Sequence, residues 1–298
     1  MPHSTEPTAQ TPSPPSSIFK SIHHPLIEEV TRDVDGFYLE HWNFDSEKAK
    51  GKFVAAGFSC VTCLYFPKAR DDRIRYVCSL LTILFLVDDE LESMSLKNGE
   101  AYNESLMRFC IGGSLPDRTV PREWIMFDLW ESMRACDRTL ADEVLQPVFT
   151  FMRAQTSKER LSIEGLDHYL DYRQGDVGQA LLAALTRFSM DLKLSTEELA
   201  SVADIEKNVG RHISVVNDVY SYEKELRTAE RAHKEGGKLC NAVQIIGAEE
   251  HVHEELMLAR KAESCSISLA LYVDGLEHHM SGNETWSKST RRYHDVKA

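Results

Sequence analysis

Apolar side chains along this chain recur at three- and four-residue intervals, the period of one face of an α-helix. Phe53, Ala56, Phe58 and Val61 open the pattern, and the run from Ile74 to Phe85 continues it. The apolar stretch Tyr76–Val87 is interrupted only by Ser79 and Thr82. It is shorter than the roughly 20 residues a bilayer span needs, so it predicts one deeply buried helix. A polar loop is expected over Lys97–Glu100, and Gly112-Gly-Ser-Leu-Pro-Asp-Arg118 separates that region from a helix through Trp130 and Met133. A further helix is predicted over Leu140–Ala154, with Pro147 as the place for a kink. Tyr169–Leu185 reads as one helix carrying Gly175 and Gly178, which mark either close helix packing or a bend. Ser195 with Glu198 three residues on has the form of a capping box, and helical spacing then continues past Glu225. Strand alternation with hairpin turns is missing. The pattern predicts an all-α, single-domain protein over residues 18–298. Residues 1–17, rich in Pro, Ser and Thr, are expected to form a disordered tail, not a signal peptide.

Composition sharpens this picture in two places. The 34 basic and 47 acidic residues give a net charge of −13, which argues against a nucleic-acid surface, since that needs a basic face. An anionic substrate would then have to be met by recruited cations. The seven cysteines are odd in number and scattered, which suits free thiols in a reducing cytosol. Cys60 and Cys63 form a CxxC without a second pair, and buried helix packing explains them better than zinc.

Candidate chemistry sits on two segments. At the end of the buried run, Asp88 and Glu92 are four residues apart and Asp89 and Glu92 three, so they share a helix face. Carboxylates gathered there repel one another unless a cation lies between them, and hard oxygen ligands suit Mg²⁺. Taken alone, such a cluster is also how a solvated helix end looks. In the second segment Asn217, Ser221 and Glu225 lie at i, i+4 and i+8, presenting an amide oxygen, a hydroxyl and a carboxylate on one stripe. Beside them, Lys224 offers a cation for a phosphate oxygen.

Asp88–Glu92 resembles the aspartate-rich DDxx(D/E) motif, and Asn217–Glu225 the NDxxSxxxE motif, of the class I terpene synthases. The wider text is similar to the fungal aristolochene-forming members. Asn43-Phe, Tyr65-Phe-Pro-Lys, Asp128-Leu-Trp-Glu-Ser-Met-Arg and Met280-Ser-Gly-Asn-Glu-Thr-Trp286 carry that likeness, which runs from about Ile18 to Tyr293. The resemblance implies a class I helical bundle around a central active-site cavity. It implies a cytoplasmic enzyme that ionises farnesyl diphosphate and cyclises the cation, by way of germacrene A, to aristolochene. Three Mg²⁺ ions are implied, with Asp88 holding two and Asn217, Ser221 and Glu225 the third. Arg173, Lys224, Arg292 and Tyr293 would grip the diphosphate, and Tyr65, Phe85, Phe151 and Trp286 would line the cavity for the cation. The metals, with Arg173, Lys224 and Arg292, would answer the charge puzzle; most other basic residues read as surface charges. A homo-oligomer, a dimer first, is implied as well, with no nucleic-acid partner and no membrane insertion.

One departure stands out. Between Gln244 and Trp286 the chain reads as shorter than the family pattern by five to six helical turns. The expected consequence is a changed cavity wall, giving a different, linear or hydrolysed product, or a non-catalytic isoprenoid diphosphate-binding protein. A chain-elongating prenyltransferase would carry a second aspartate-rich motif where Asn217–Glu225 stands, and no DxDD acid of a class II cyclase is present. Asp71-Asp72-Arg reads as surface, and His251-Val-His253 as a solvated helix face.

Overall fold

The computed structural model describes residues 19–246 and 266–294. Among them there is no strand, and the helices pack as one bundle. The expected tail (1–17), His251, His253 and much of the expected shortening lie outside the described residues.

The first helix, α1 (Ile27–His41), buries Val30, Val34 and Tyr38 at four-residue spacing, and the Tyr38 hydroxyl donates to the Ser79 carbonyl at 2.8 Å. The run expected through Phe53–Val61 is two helices. α2 (Glu47–Ala56) ends at Gly57, whose φ of +66° turns the chain into α3 (Phe58–Tyr65). α4 (Ile74–Leu91) contains the long apolar stretch and is buried on nearly every face, as its all-round hydrophobicity requires. α5 (Leu96–Cys110) replaces the loop expected over Lys97–Glu100. Ser95 caps it by accepting from the Asn98 amide, so those polar residues form its first turn.

The two helices expected around Trp130 and over Leu140–Ala154 are both present within α6 (Pro121–Gln155); they meet at Asp137, whose φ of −155° and ψ of 99° are not helical, and Pro147 lies inside the second. The Asp137 carboxylate restarts the helix by accepting from the Leu140 amide at 3.1 Å, and its other oxygen faces Arg73. Arg73 is buried and also donates to the Phe188 carbonyl, so of the Asp71-Asp72-Arg segment only the two aspartates are on the surface.

The single helix expected over Tyr169–Leu185 divides into α7 (Gly165–Asp176) and α8 (Gln179–Met190). Gly178, at φ +76°, makes the break, and a Cβ there would stand 3.1 Å from the Phe151 ring. The Ser195–Glu198 capping box is formed and opens the short α9 (Thr196–Ser201). α10 (Ala203–Ala229), α11 (Ala242–Ile246) and α12 (Ile267–Ser289) complete the bundle. α12 packs between α10 and α3. It is pinned to the latter by Tyr65 Oη donating to Asn283 Oδ1 at 2.8 Å and by Trp286 Nε1 donating to the Ala56 carbonyl at 2.9 Å.

Candidate active site

Between α4, α6, α7, α8, α10 and α12 lies a cavity of about 200 Å³, one end polar and the other apolar. α4 contributes Leu81, Leu84 and Phe85 from its buried part and Asp88 from its last turn. The three-residue step from Phe85 to Asp88 therefore puts a ring and a carboxylate on one wall. Tyr65, Phe151 and Trp286 line the cavity from α3, α6 and α12. Phe85 stacks on Phe58 (centroids 4.5 Å apart) and tilts against Trp286 at 6.3 Å.

The polar end gathers Asn217, Lys224 and Glu225 from α10, Arg173 from α7, and Arg292 and Tyr293 after α12. Of the site residues the resemblance implies, Ser221 alone does not line the cavity. It is buried behind Glu225 and donates its hydroxyl to Glu225 Oε1 at 2.6 Å. Asn217 stands between two of the others: Arg173 Nη2 donates to its Oδ1 at 3.0 Å, and its Nδ2 donates to the Tyr293 hydroxyl at 2.6 Å.

The cations of this end are held by its carboxylates. Arg292 forks onto Asp89 through two hydrogen bonds of 2.7 and 3.1 Å and lies 3.8 Å from Asp88. Its guanidinium also sits 5.2 Å over the Phe58 ring, a cation–π arrangement. Lys224 Nζ donates to Glu92 at 2.8 Å. Arg173 donates to Asp176 and to the fully buried Asp218. Burial, aided by the charges of Asp89 and Glu92 and opposed by Arg292, pushes the Asp88 carboxyl up to about 6. Burial acts the same way on Asp89, but Arg292 outweighs it and holds that carboxyl below its ordinary value. Asp218 is likewise pushed up to about 6 by burial, against Arg173. Both raised groups are therefore mainly carboxylates at neutral pH.

Four residues of this end were not legible as site residues. Gln155 Nε2 donates to Asp88 Oδ1 at 2.8 Å. Arg160, not singled out in the sequence, lines the cavity and donates to the Gln155 and Lys238 carbonyls. Asp176 anchors Arg173. Asn241, wholly buried, reaches Glu225. Gln155, Arg160 and Asn241 reach partners distant in sequence that no local spacing signals, whereas Asp176 lies three residues from Arg173 on α7. The CxxC is packing, as expected: Cys63 is buried 4.0 Å from Cys78, and both are free thiols.

The donor chemistry suits a hard divalent cation. Asp88, Asn217, Ser221 and Glu225 offer only oxygens, from a carboxylate, an amide, a hydroxyl and a second carboxylate. No three His, Cys, Asp or Glu side chains converge on a point among the described residues, so the set is one divided between two helices and completed by neutral oxygens. Among the described residues no helix is long and apolar enough to cross a membrane.

The family described as terpene synthase family 2, C-terminal metal binding, matches residues 79–263. The chain is 54% identical to aristolochene synthase of Aspergillus terreus, over 98% of each chain. It is 52% identical to (+)-aristolochene synthase TS1 of Penicillium expansum, over 95% of this chain and 91% of that one. The crystal structure of aristolochene synthase from Penicillium roqueforti superposes with a TM-score of 0.81 at 47% identity, covering 94% of this chain and all of that one. The first alignment runs over 312 positions but takes in 98% of a 298-residue chain, so about 20 positions of the relative face a gap here. That matches in size the shortening read from the sequence.

Proposed function

The chain belongs to terpene synthase family 2 and has the family's helical fold, and from that premise we propose that it cyclises farnesyl diphosphate to aristolochene. The observation that carries the reading is the division of one cavity into an oxygen- and cation-lined end and an aromatic end, joined on α4 by Phe85 and Asp88. Asp88 would hold two of three Mg²⁺ ions, and Asn217, Ser221 and Glu225 the third. Bound there, magnesium supplies the positive charge that stabilises a departing diphosphate. Arg173, Lys224, Arg292 and the Tyr293 hydroxyl donate to its oxygens, exchanging their present carboxylate and amide partners for the substrate. The allylic cation left behind faces Phe85, Trp286, Phe151 and Tyr65, whose ring faces stabilise it while apolar walls exclude water. The free thiols suit a reducing cytosol, and the resemblance suggests a homodimer, which sedimentation would test.

The decisive assay is incubation with farnesyl diphosphate with Mg²⁺ or with EDTA, and identification of volatiles by gas chromatography and mass spectrometry. A Mg²⁺-dependent bicyclic hydrocarbon is expected. The gap of about 20 positions favours one second reading, a cavity that admits water; farnesol or nerolidol as the main metal-dependent product would establish it. No turnover with metal would overturn both.

A further inference from the structure

Asn241 belongs to neither metal motif, yet its side chain ends on one of them. It is fully buried just before α11 and makes three contacts. Its Oδ1 accepts from the Val243 amide at 2.9 Å, capping the short helix. Its Nδ2 donates at 3.0 Å to the main-chain carbonyl of Asp218 and at 3.0 Å to Glu225 Oε2. Since Ser221 Oγ donates to Glu225 Oε1, each oxygen of that carboxylate has one donor. The next residue ties the same turn down, as the Ala242 amide donates to Asp218 Oδ2 at 2.8 Å.

We propose that Asn241 is a positioning residue that holds the Glu225 carboxylate in its metal-binding orientation. This rests on the reading of Asn217, Ser221 and Glu225 as ligands. A glutamate on a cavity-facing helix samples several rotamers, and fixing it at the moment of metal binding costs entropy. Donors already in place remove most of that cost, which is how groups behind metal ligands raise affinity. Asparagine suits both of these roles. A helix cap needs only an acceptor, which Ser or Asp supplies equally well, whereas Asn adds a donor for the carboxylate.

The substitutions Asn241→Ser and Asn241→Ala separate the two roles. Ser keeps a cap for Val243 but is too short to reach Glu225; Ala loses both. Calorimetric titration with Mg²⁺ and inorganic diphosphate is expected to show both variants binding about 10- to 100-fold more weakly than wild type. In EDTA both variants should melt below wild type, having lost the bond to the Asp218 carbonyl, and N241S less so than N241A, which loses the cap as well. In a Glu225→Gln background, N241S should add little further weakening, because the two residues act as a unit. N241S binding within twofold of wild type would overturn the proposal and leave Asn241 a helix cap. Wild-type protein that binds no diphosphate in a metal-dependent way would instead overturn the ligand reading beneath it.

Discussion

At the scale of single residues, the site is a set of charges held in readiness by one another. Arg292 matters most, because it pairs with Asp89, approaches Asp88 and covers Phe58 together. Arg292→Ala should lower kcat/KM by about 100-fold or more, the size seen when one donor to a developing anion is lost. Arg292→Lys should fall between, since an ammonium keeps the charge but cannot fork onto a carboxylate. Steady-state kinetics check both; equal rates for the Lys variant and wild type would remove geometry from the argument. His279 offers a second residue-level test. It is buried against Tyr65 and Phe66, shares a hydrogen bond with Thr186 Oγ1, and burial holds its pKa down to about 3. A histidine kept neutral in the fold but free to charge in the unfolded chain stabilises above about pH 6.5, and that contribution is lost as pH falls toward 3. Between pH 6.5 and 5 the loss is about 1.5 kcal/mol. Asp88 and Asp218, raised to about 6, act with opposite sign over the same interval. The effect therefore shows as a difference: relative to wild type, His279→Gln should gain about 1.5 kcal/mol on acidification from pH 6.5 to 5. Parallel denaturation profiles would refute it.

At the scale of elements, the legible features are those written in local spacing and the illegible ones depend on partners far along the chain. The buried run of α4 and the Asn217–Ser221–Glu225 stripe of α10 follow from residues three and four apart. The capping box at Ser195 likewise needs only four consecutive residues. By contrast, nothing near Asp137 announces that α6 bends there, because the bend is supported by Arg73, which the Phe188 carbonyl holds. Nor does the polarity of Lys97–Glu100 show that a cap at Ser95 makes it helical. Gly178 is the intermediate case: the glycine is visible, but its left-handed φ and its contact with Phe151 are not. Gly178→Ala should destabilise by about 1–2 kcal/mol from the backbone alone, and its Cβ would press on a cavity ring. The expected result is a lowered melting temperature with a shifted product ratio, read by calorimetry and product analysis. An unchanged melting temperature would show that the α7–α8 junction relaxes freely.

At the scale of the molecule, a chain of net charge −13 presents a cavity in which, among the described residues, Arg173, Lys224 and Arg292 pair with Asp176, Glu92 and Asp89. The sequence names Asp88, Glu92, Asn217, Lys224 and Glu225 of that cavity by their spacing, and Arg173, Arg292, Tyr293 and the four rings through the family resemblance. It does not reveal Gln155, Arg160 or Asn241, which enter only when α6 and the α10–α11 connection fold over the motifs. An anion alone would face Asp88, Asp89 and Glu225 and be repelled; a metal alone would leave Arg173, Lys224 and Arg292 with fewer partners. The two should therefore bind together. Each binds the fold and not the unfolded chain, so their joint effect on stability follows from mass action. With Mg²⁺ and inorganic diphosphate at about 100 times their apparent Kd, stabilisation is about 2.7 kcal/mol, a rise of about 5 °C in Tm for a protein of this size. Mg²⁺ without diphosphate, and diphosphate with EDTA, should each give much less than half of that. If the two separate shifts instead add up to the joint one, metal and anion occupy independent sites, and the single polar end described here cannot be where both are held.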